Sequence, residues 1–187
     1  MSKNWRGAYL FHVKVDTRVL AGTAILGTLV VVFDYSLKFS GLKIPFPWLP
    51  FLKFDLTGIP IVLSLLFFGM VPSVVTSAVA VLAILARSGN VTGACMKGLA
   101  EFSTVLGMAV GLKLASRSKL EKPLAFAFGI TSRCIIMFFV NMLLFSSLIS
   151  FLMVVTVFNV IAGSVSILGG FLIYEAMKKR FPSNVKG

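Results

Sequence analysis

Read as alternating apolar and polar stretches, the chain shows six apolar segments. They run from roughly Arg18 to Leu37, Leu56 to Val71, Pro72 to Ala86, Thr92 to Ala115, Pro123 to Ser146 and Phe151 to Met177. A helix needs about 20 apolar residues to cross hydrocarbon, so the pattern predicts an all-α membrane protein of six transmembrane helices. The second and third segments are short, with only Gly69, Met70, Val71 and Pro72 to turn between them. Two short full spans are favoured over a re-entrant pair, because bilayer thinning or burial by neighbours accommodates the mismatch. Pro60 suits the first turn of the second helix, where its missing donor is harmless, and Asp55 or Thr57 supplies the cap. The first segment follows a basic leader without a small-residue cleavage box after it, so it is kept as a helix.

Composition supports a bilayer as the solvent. Of 187 residues, 58% are apolar, and the mean hydropathy is +0.98, far from the mixed surface of a soluble globule. The chain reads as one six-helix substrate-binding domain over residues 1–187. A net charge of +12 points to nucleic acid only where a water-facing domain carries a basic patch, and no such domain is evident. The charge reads instead as cytoplasmic loop charge. With the N-terminus inside, the inner set is Lys3, Arg6, Lys14, Arg18, Lys113, Arg117, Lys119, Lys122, Lys178, Lys179, Arg180 and Lys186. The outer set is Lys38, Lys43, Lys53 and Arg87, and Lys97 and Arg133 fall within spans. Twelve against four places both termini in the cytoplasm of a multi-pass plasma-membrane protein. Cys95 and Cys134 are isolated in apolar runs, which makes them ordinary small core residues.

The informative residues are the polar ones inside the spans. At about 1.5 Å of rise per residue, Lys97 and Glu101 on the fourth helix, Asn141 on the fifth and Asn159 on the sixth all fall about 7 to 13 Å below the outer helix ends. Asp55, at the outer start of the second helix, joins that layer. Ionisable side chains in lipid face a cavity or one another, so the shared depth points to a pocket open outward. The plainer reading is that Lys97 and Glu101, four apart, form a private ion pair while the asparagines glue helices together. It accounts for each pair and leaves the common depth unexplained. Arg133 lies nearer mid-membrane and reads as structural or coupling-related, with a carbonyl or Glu175 as partner.

The outer loop from Lys38 to Phe54 is the longest. Pro45, Pro47 and Pro50 stiffen it, and Phe46, Trp48, Phe51 and Phe54 offer flat apolar faces, which suits a lid over residues 38–54 or an interfacial aromatic belt. Small residues cluster on the first helix at Ala21, Gly22, Thr23, Ala24, Gly27 and Thr28. Spacings such as Thr23 with Gly27, and Gly107 with Gly111 on the fourth helix, permit close approach of a helix of this chain or of another protein. No Gly-x-x-x-x-Gly-Lys-Ser/Thr phosphate loop, no His-Glu-x-x-His and no Gly-x-Ser-x-Gly occurs, and His12 stands alone in the leader. Catalytic residues, metal ligands and cofactors are therefore not expected, and an enzyme is the weaker class.

Taken in order, Phe51-Leu-Lys-Phe-Asp-Leu-Thr-Gly-Ile-Pro60, Lys97 with Glu101, Asn141, and Phe158-Asn159 resemble the substrate-binding S components of energy-coupling factor vitamin transporters, and among them the riboflavin-specific members. The resemblance spans nearly the whole chain. It implies a high-affinity riboflavin binder that works with a transmembrane coupling subunit and two cytoplasmic ATPases. The substrate-binding residues it implies are Asp55, Lys97, Glu101, Asn141, Asn159, Phe54 and Trp48, and the coupling-subunit contact is Ala21, Ala24 and Thr28. The first helix departs from the family's alanine-x-x-x-alanine, since Ala21 is followed by Ile25, and Ala24 with Thr28 is the nearest substitute. Thr57-Gly58 stands where serine-aspartate is expected.

Riboflavin suits the residues. An asparagine amide pairs with adjacent acceptors and donors on the flavin edge, and Lys97 and Glu101 offer charged hydrogen bonds to ring or ribityl oxygens. Flavin mononucleotide is the further ligand to consider, with Lys97 the candidate partner for its added charge. Another vitamin, a membrane enzyme or a purely structural membrane subunit are the competing readings.

Overall fold

The computed structural model describes residues 16–116, 118, 120–145 and 149–180. Its helices are α1 (Thr17–Phe39), α2 (Gly58–Phe68), α3 (Met70–Ser88), α4 (Val91–Leu114), α5 (Glu121–Phe145) and α6 (Ile149–Arg180), with strands β1 (Ile44–Phe46) and β2 (Leu49–Phe54) between α1 and α2. Lys3, Arg6, Lys14, Arg117, Lys119 and Lys186 of the charge set expected inside, His12, and Ser146 to Leu148 of the turn expected outside lie outside the described residues.

Among the described residues six helices match the six apolar segments, but five of them, not six, are long and apolar enough to cross a membrane. The exception is α2. Its 11 residues rise about 16 Å, roughly half the hydrocarbon thickness. Gly69 stops it: at φ +94° that residue adopts a backbone that side chains disfavour, and α3 begins at Met70. Pro60 and Pro72 both sit in first turns, where no helical hydrogen bond is lost. Instead of spanning, α2 is buried by its neighbours, packing on α1, α3, α4 and α6. Ser73 donates to the Ile61 carbonyl (3.0 Å) and Thr76 to Ser64 Oγ (3.1 Å), so hydroxyls join α2 to α3 where an apolar contact between helices gains little over lipid.

Around α2 the longer helices pack in sequence, α3 on α4, α4 on α5 and α5 on α6, with α1 against α2 and α3. The core joins Val30, Ile61, Val62, Leu65, Val105, Met108 and Ile167. Gly107 and Gly111 serve an intramolecular contact. A Cβ on Gly107 would lie 2.3 Å from the Phe128 carbonyl oxygen, and one on Gly111 2.7 Å from that of Leu124, so bare backbone brings α4 and α5 together. The small residues of α1 divide. Gly22 faces Phe68 and Gly27 faces Val79, while Ala21, Ala24 and Thr28 are exposed.

The predicted outer loop is a second correction to an all-α reading, because its core is an antiparallel hairpin pairing Ile44 with Phe54 and Pro45 with Lys53. Both strands are edges, which is where proline is tolerated in a sheet. Phe54 packs on Phe158 (ring centroids 4.9 Å apart), Phe46 on Phe158 (5.5 Å) and Phe51 on Phe151 (6.3 Å). The hairpin thus lies against α6 and covers the bundle end at which α2 and α4 begin.

Candidate functional site

Beneath that hairpin, charged side chains from α1, the two residues flanking the hairpin, α3, α4 and α5 form one alternating chain. Asp34 on α1 accepts from Arg87 Nε of α3 (2.7 Å) and from Lys43, which precedes β1. Lys43 is also 3.8 Å from Asp55. Asp55 accepts from Lys97 Nζ (2.8 Å), Lys97 donates to Glu101 Oε1 (2.9 Å), and Arg133 of α5 donates to that same oxygen (3.2 Å). Each of the three carboxylates therefore has two cationic partners. That is what burying it requires, since an unpaired ion in low dielectric is strongly disfavoured.

Local sequence explains the placement. Buried residues recur every four along α5, at Ala125, Gly129, Arg133, Met137 and Asn141, so a single inward stripe carries both polar residues. On α6 the inward stripe runs through Leu152, Val155, Asn159, Gly163, Ser166 and Gly170. Asp55 folds back on its own loop, accepting from the Thr57 amide (3.2 Å) and hydroxyl (2.6 Å). It braces the entry to α2 instead of capping a later helical amide. Burial pushes the Asp55 carboxyl up, but Lys97, Thr57 and Lys43 together outweigh that and hold it at about 2. Gly58 has to be small, because a Cβ there would lie 2.1 Å from Ser166 Oγ and 2.7 Å from Glu101 Oε2.

Of the residues singled out from sequence, Asp55, Lys97, Glu101 and Asn159 come together, the last through Arg133, whose Nε donates to Asn159 Oδ1 (3.1 Å). Asn141 is buried on the same stripe about 12 Å farther along α5, where its amide donates to the Met137 carbonyl (2.7 Å). Phe54 lies in the aromatic cluster over this layer. Trp48 does not reach it; the indole is 66% exposed and touches the cluster edge-on through Phe46 (5.3 Å).

Arg133 is the principal correction. Among the described residues its partners are neither Glu175, which pairs with Lys122 (2.9 Å), nor a backbone carbonyl; Arg133 bonds Glu101, the side-chain carbonyl of Asn159 and Thr104 Oγ1 (3.1 Å). The Lys97–Glu101 pair exists and is not private. Asp34, Lys43 and Arg87 were missed. The available signal was Asp34 itself, an acidic residue inside an otherwise apolar helix.

No family model matches the chain, and no curated protein matches it. A solved structure of the S component of a bacterial ECF transporter does match. Its TM-score is 0.77 at 21% sequence identity, over 89% of this chain and 98% of that one. At that identity the likeness shows a shared fold. With five helices able to span in that fold, the chain is a multi-pass membrane protein.

Proposed function

We propose that this protein is the riboflavin-binding S component of an energy-coupling factor transporter, embedded in the plasma membrane with its hairpin end outward. One observation carries the reading. Asp55, Lys97, Glu101, Arg133 and Asn159 form a single buried polar layer beneath an aromatic-covered hairpin, in a fold shared with an S component. A flat tricycle with a hydrogen-bonding edge fits between such a layer and aromatic rings such as Phe54 and Phe158. In this reading Asn141 and Asn159 meet the ligand edge, Trp48 joins the rim when the hairpin closes, and flavin mononucleotide is a second ligand with Lys97 nearest its phosphate. At roughly 0.3 kcal/mol per heavy atom, generic contacts to a ligand of this size give micromolar affinity, so tight capture rests on a closed, preorganised pocket.

Uptake against a gradient requires energy that the chain itself does not provide. A membrane coupling subunit and a pair of cytoplasmic ATPases supply it in this reading, and the exposed face of Ala21, Ala24 and Thr28 is the contact, since small residues let helices approach closely. Replacing Ala24 with Trp abolishes ATP-dependent uptake in vesicles holding the full complex and spares binding. Normal uptake by that variant moves the contact elsewhere.

The test of the function is titration of riboflavin fluorescence with purified protein. Stoichiometric quenching in the nanomolar range is expected, with at least about a tenfold loss in Asn141→Ala and Asn159→Ala. No saturable binding below micromolar would sink the proposal. The plainer reading, in which the network only holds helices together, draws on the bond from Arg133 to Asn159 that joins α5 to α6 and on the bonds with which both asparagines already satisfy their amides on their own helices, at Met137 and Val155. It predicts no flavin binding and a loss of stability in both variants.

A further inference from the structure

Resting on the riboflavin-site reading, the geometry points to Arg133 as the residue that sets the hydrogen-bonding polarity of the site: it holds Asn159 so that its amide meets the ligand as a donor. Arginine has five N–H donors and no acceptor. Whatever faces its Nε at 3.1 Å is therefore the amide oxygen of Asn159. The other end of that amide agrees, because Nδ2 donates to the Val155 carbonyl (2.9 Å), a group that only accepts. Both neighbours impose the same orientation, which leaves the second N–H of Nδ2 to offer.

The same guanidinium orients Glu101. Its NH1 and the Lys97 ammonium both donate to Oε1, at 3.2 and 2.9 Å, while the buried Oε2 has no hydrogen-bond partner among the described residues. A buried carboxylate oxygen without a donor is costly, and a ligand N–H or O–H relieves it. Arg133 thus stands between a donor and an acceptor fixed in opposite senses. The matching ligand class is a neutral molecule with a hydrogen-bond acceptor and a donor close together on one edge. The four charges nearest the Asn159 amide agree with neutrality, since Asp55 and Glu101 balance Lys97 and Arg133, while Asp34 lies between Lys43 and Arg87 farther along the chain and leaves it with one net positive charge. Room for the stem is built in: at Gly163 a Cβ would already lie 3.0 Å from Arg133 Cδ.

The experiment is a cycle of riboflavin dissociation constants for the full chain, its Arg133→Lys and Asn159→Ala variants and the double variant, with Asn159→Asp measured alongside. Lysine keeps the charge and loses the fork that holds both partners. If Arg133 acts through Asn159, Arg133→Lys weakens binding about tenfold in the native background and clearly less once Asn159 is alanine, the remainder being its hold on Glu101. Asn159→Asp keeps an acceptor facing Arg133 and removes both Nδ2 donors, the one on the Val155 carbonyl and the one offered to the ligand, so affinity falls at least about tenfold in protein that circular dichroism still reports as folded. It decides the matter should Arg133→Lys fail to fold. Multiplying losses in the double variant, or native affinity in Asn159→Asp, overturns this inference and leaves the riboflavin site standing. A native chain that binds no riboflavin takes down both.

Discussion

At the hairpin end of the bundle, the Asp34 and Glu101 side chains are 1% and 0% exposed and each is held between two cations. At the opposite end, Lys122 and Glu175 form a pair of ordinary length, 2.9 Å, with side chains 57% and 36% exposed. Similar distances carry different consequences. The exposed pair gains little over solvated ions. The buried chain persists only while every charge keeps its partners. Charge density alone does not separate the two ends; the number of partners per carboxylate and their removal from water do. In the proposed reading, the hairpin end is the one that meets a polar ligand.

The comparison breaks most sharply at Glu101. Glu101→Ala leaves Lys97 without one of its two carboxylate partners and Arg133 without its only ion pair among the described residues, so a loss of about 3–5 kcal/mol is expected, read from thermal unfolding in detergent. A loss below about 1 kcal/mol would mean that the buried chain behaves like a surface pair. Next comes acid. The folded Asp55 carboxyl, held down at about 2 against an ordinary 3.8, contributes stability that is fully present above about pH 4 and lost as pH falls from there toward 2. The shift corresponds to about 2 kcal/mol. Unfolding at pH 6, 4 and 2.5 should show most of this drop in the last interval, and Asp55→Asn should shrink the acid loss by about that amount while the loss from the other buried carboxylates remains. Smallest is Lys122→Ala, with about 0.5 kcal/mol or less expected; a loss near that of Glu101→Ala would erase the contrast between the ends.

The two ends also differed in how far they were legible from sequence. Lys97 and Glu101 were readable because an i,i+4 pair in an apolar helix is conspicuous at once, and counting rise per residue brought Asp55 and Asn159 to their level. Arg133 escaped because depth was counted at its Cα, whereas a long side chain snorkels well away from its backbone. Asp34 and Arg87 escaped because they are 53 residues apart, and nothing local signals a pairing across that distance. The length of α2 turned on the backbone of one residue, Gly69. The hairpin was hidden by prolines, which argue against a strand in the middle of a sheet but not at an edge. In α1, spacing showed that small residues cluster and left open which of them face inward; packing on Phe68 and Val79 separated Gly22 and Gly27 from Ala21, Ala24 and Thr28.

The central claim is that the buried layer at the hairpin end is a riboflavin site. The most direct measurement is mass spectrometry of the small molecule released from protein purified out of membranes grown with riboflavin present. The account predicts a flavin at near one-to-one stoichiometry, lost or strongly depleted in Asn159→Asp. A protein that releases a different vitamin, or that carries no ligand and binds no added riboflavin, would contradict it.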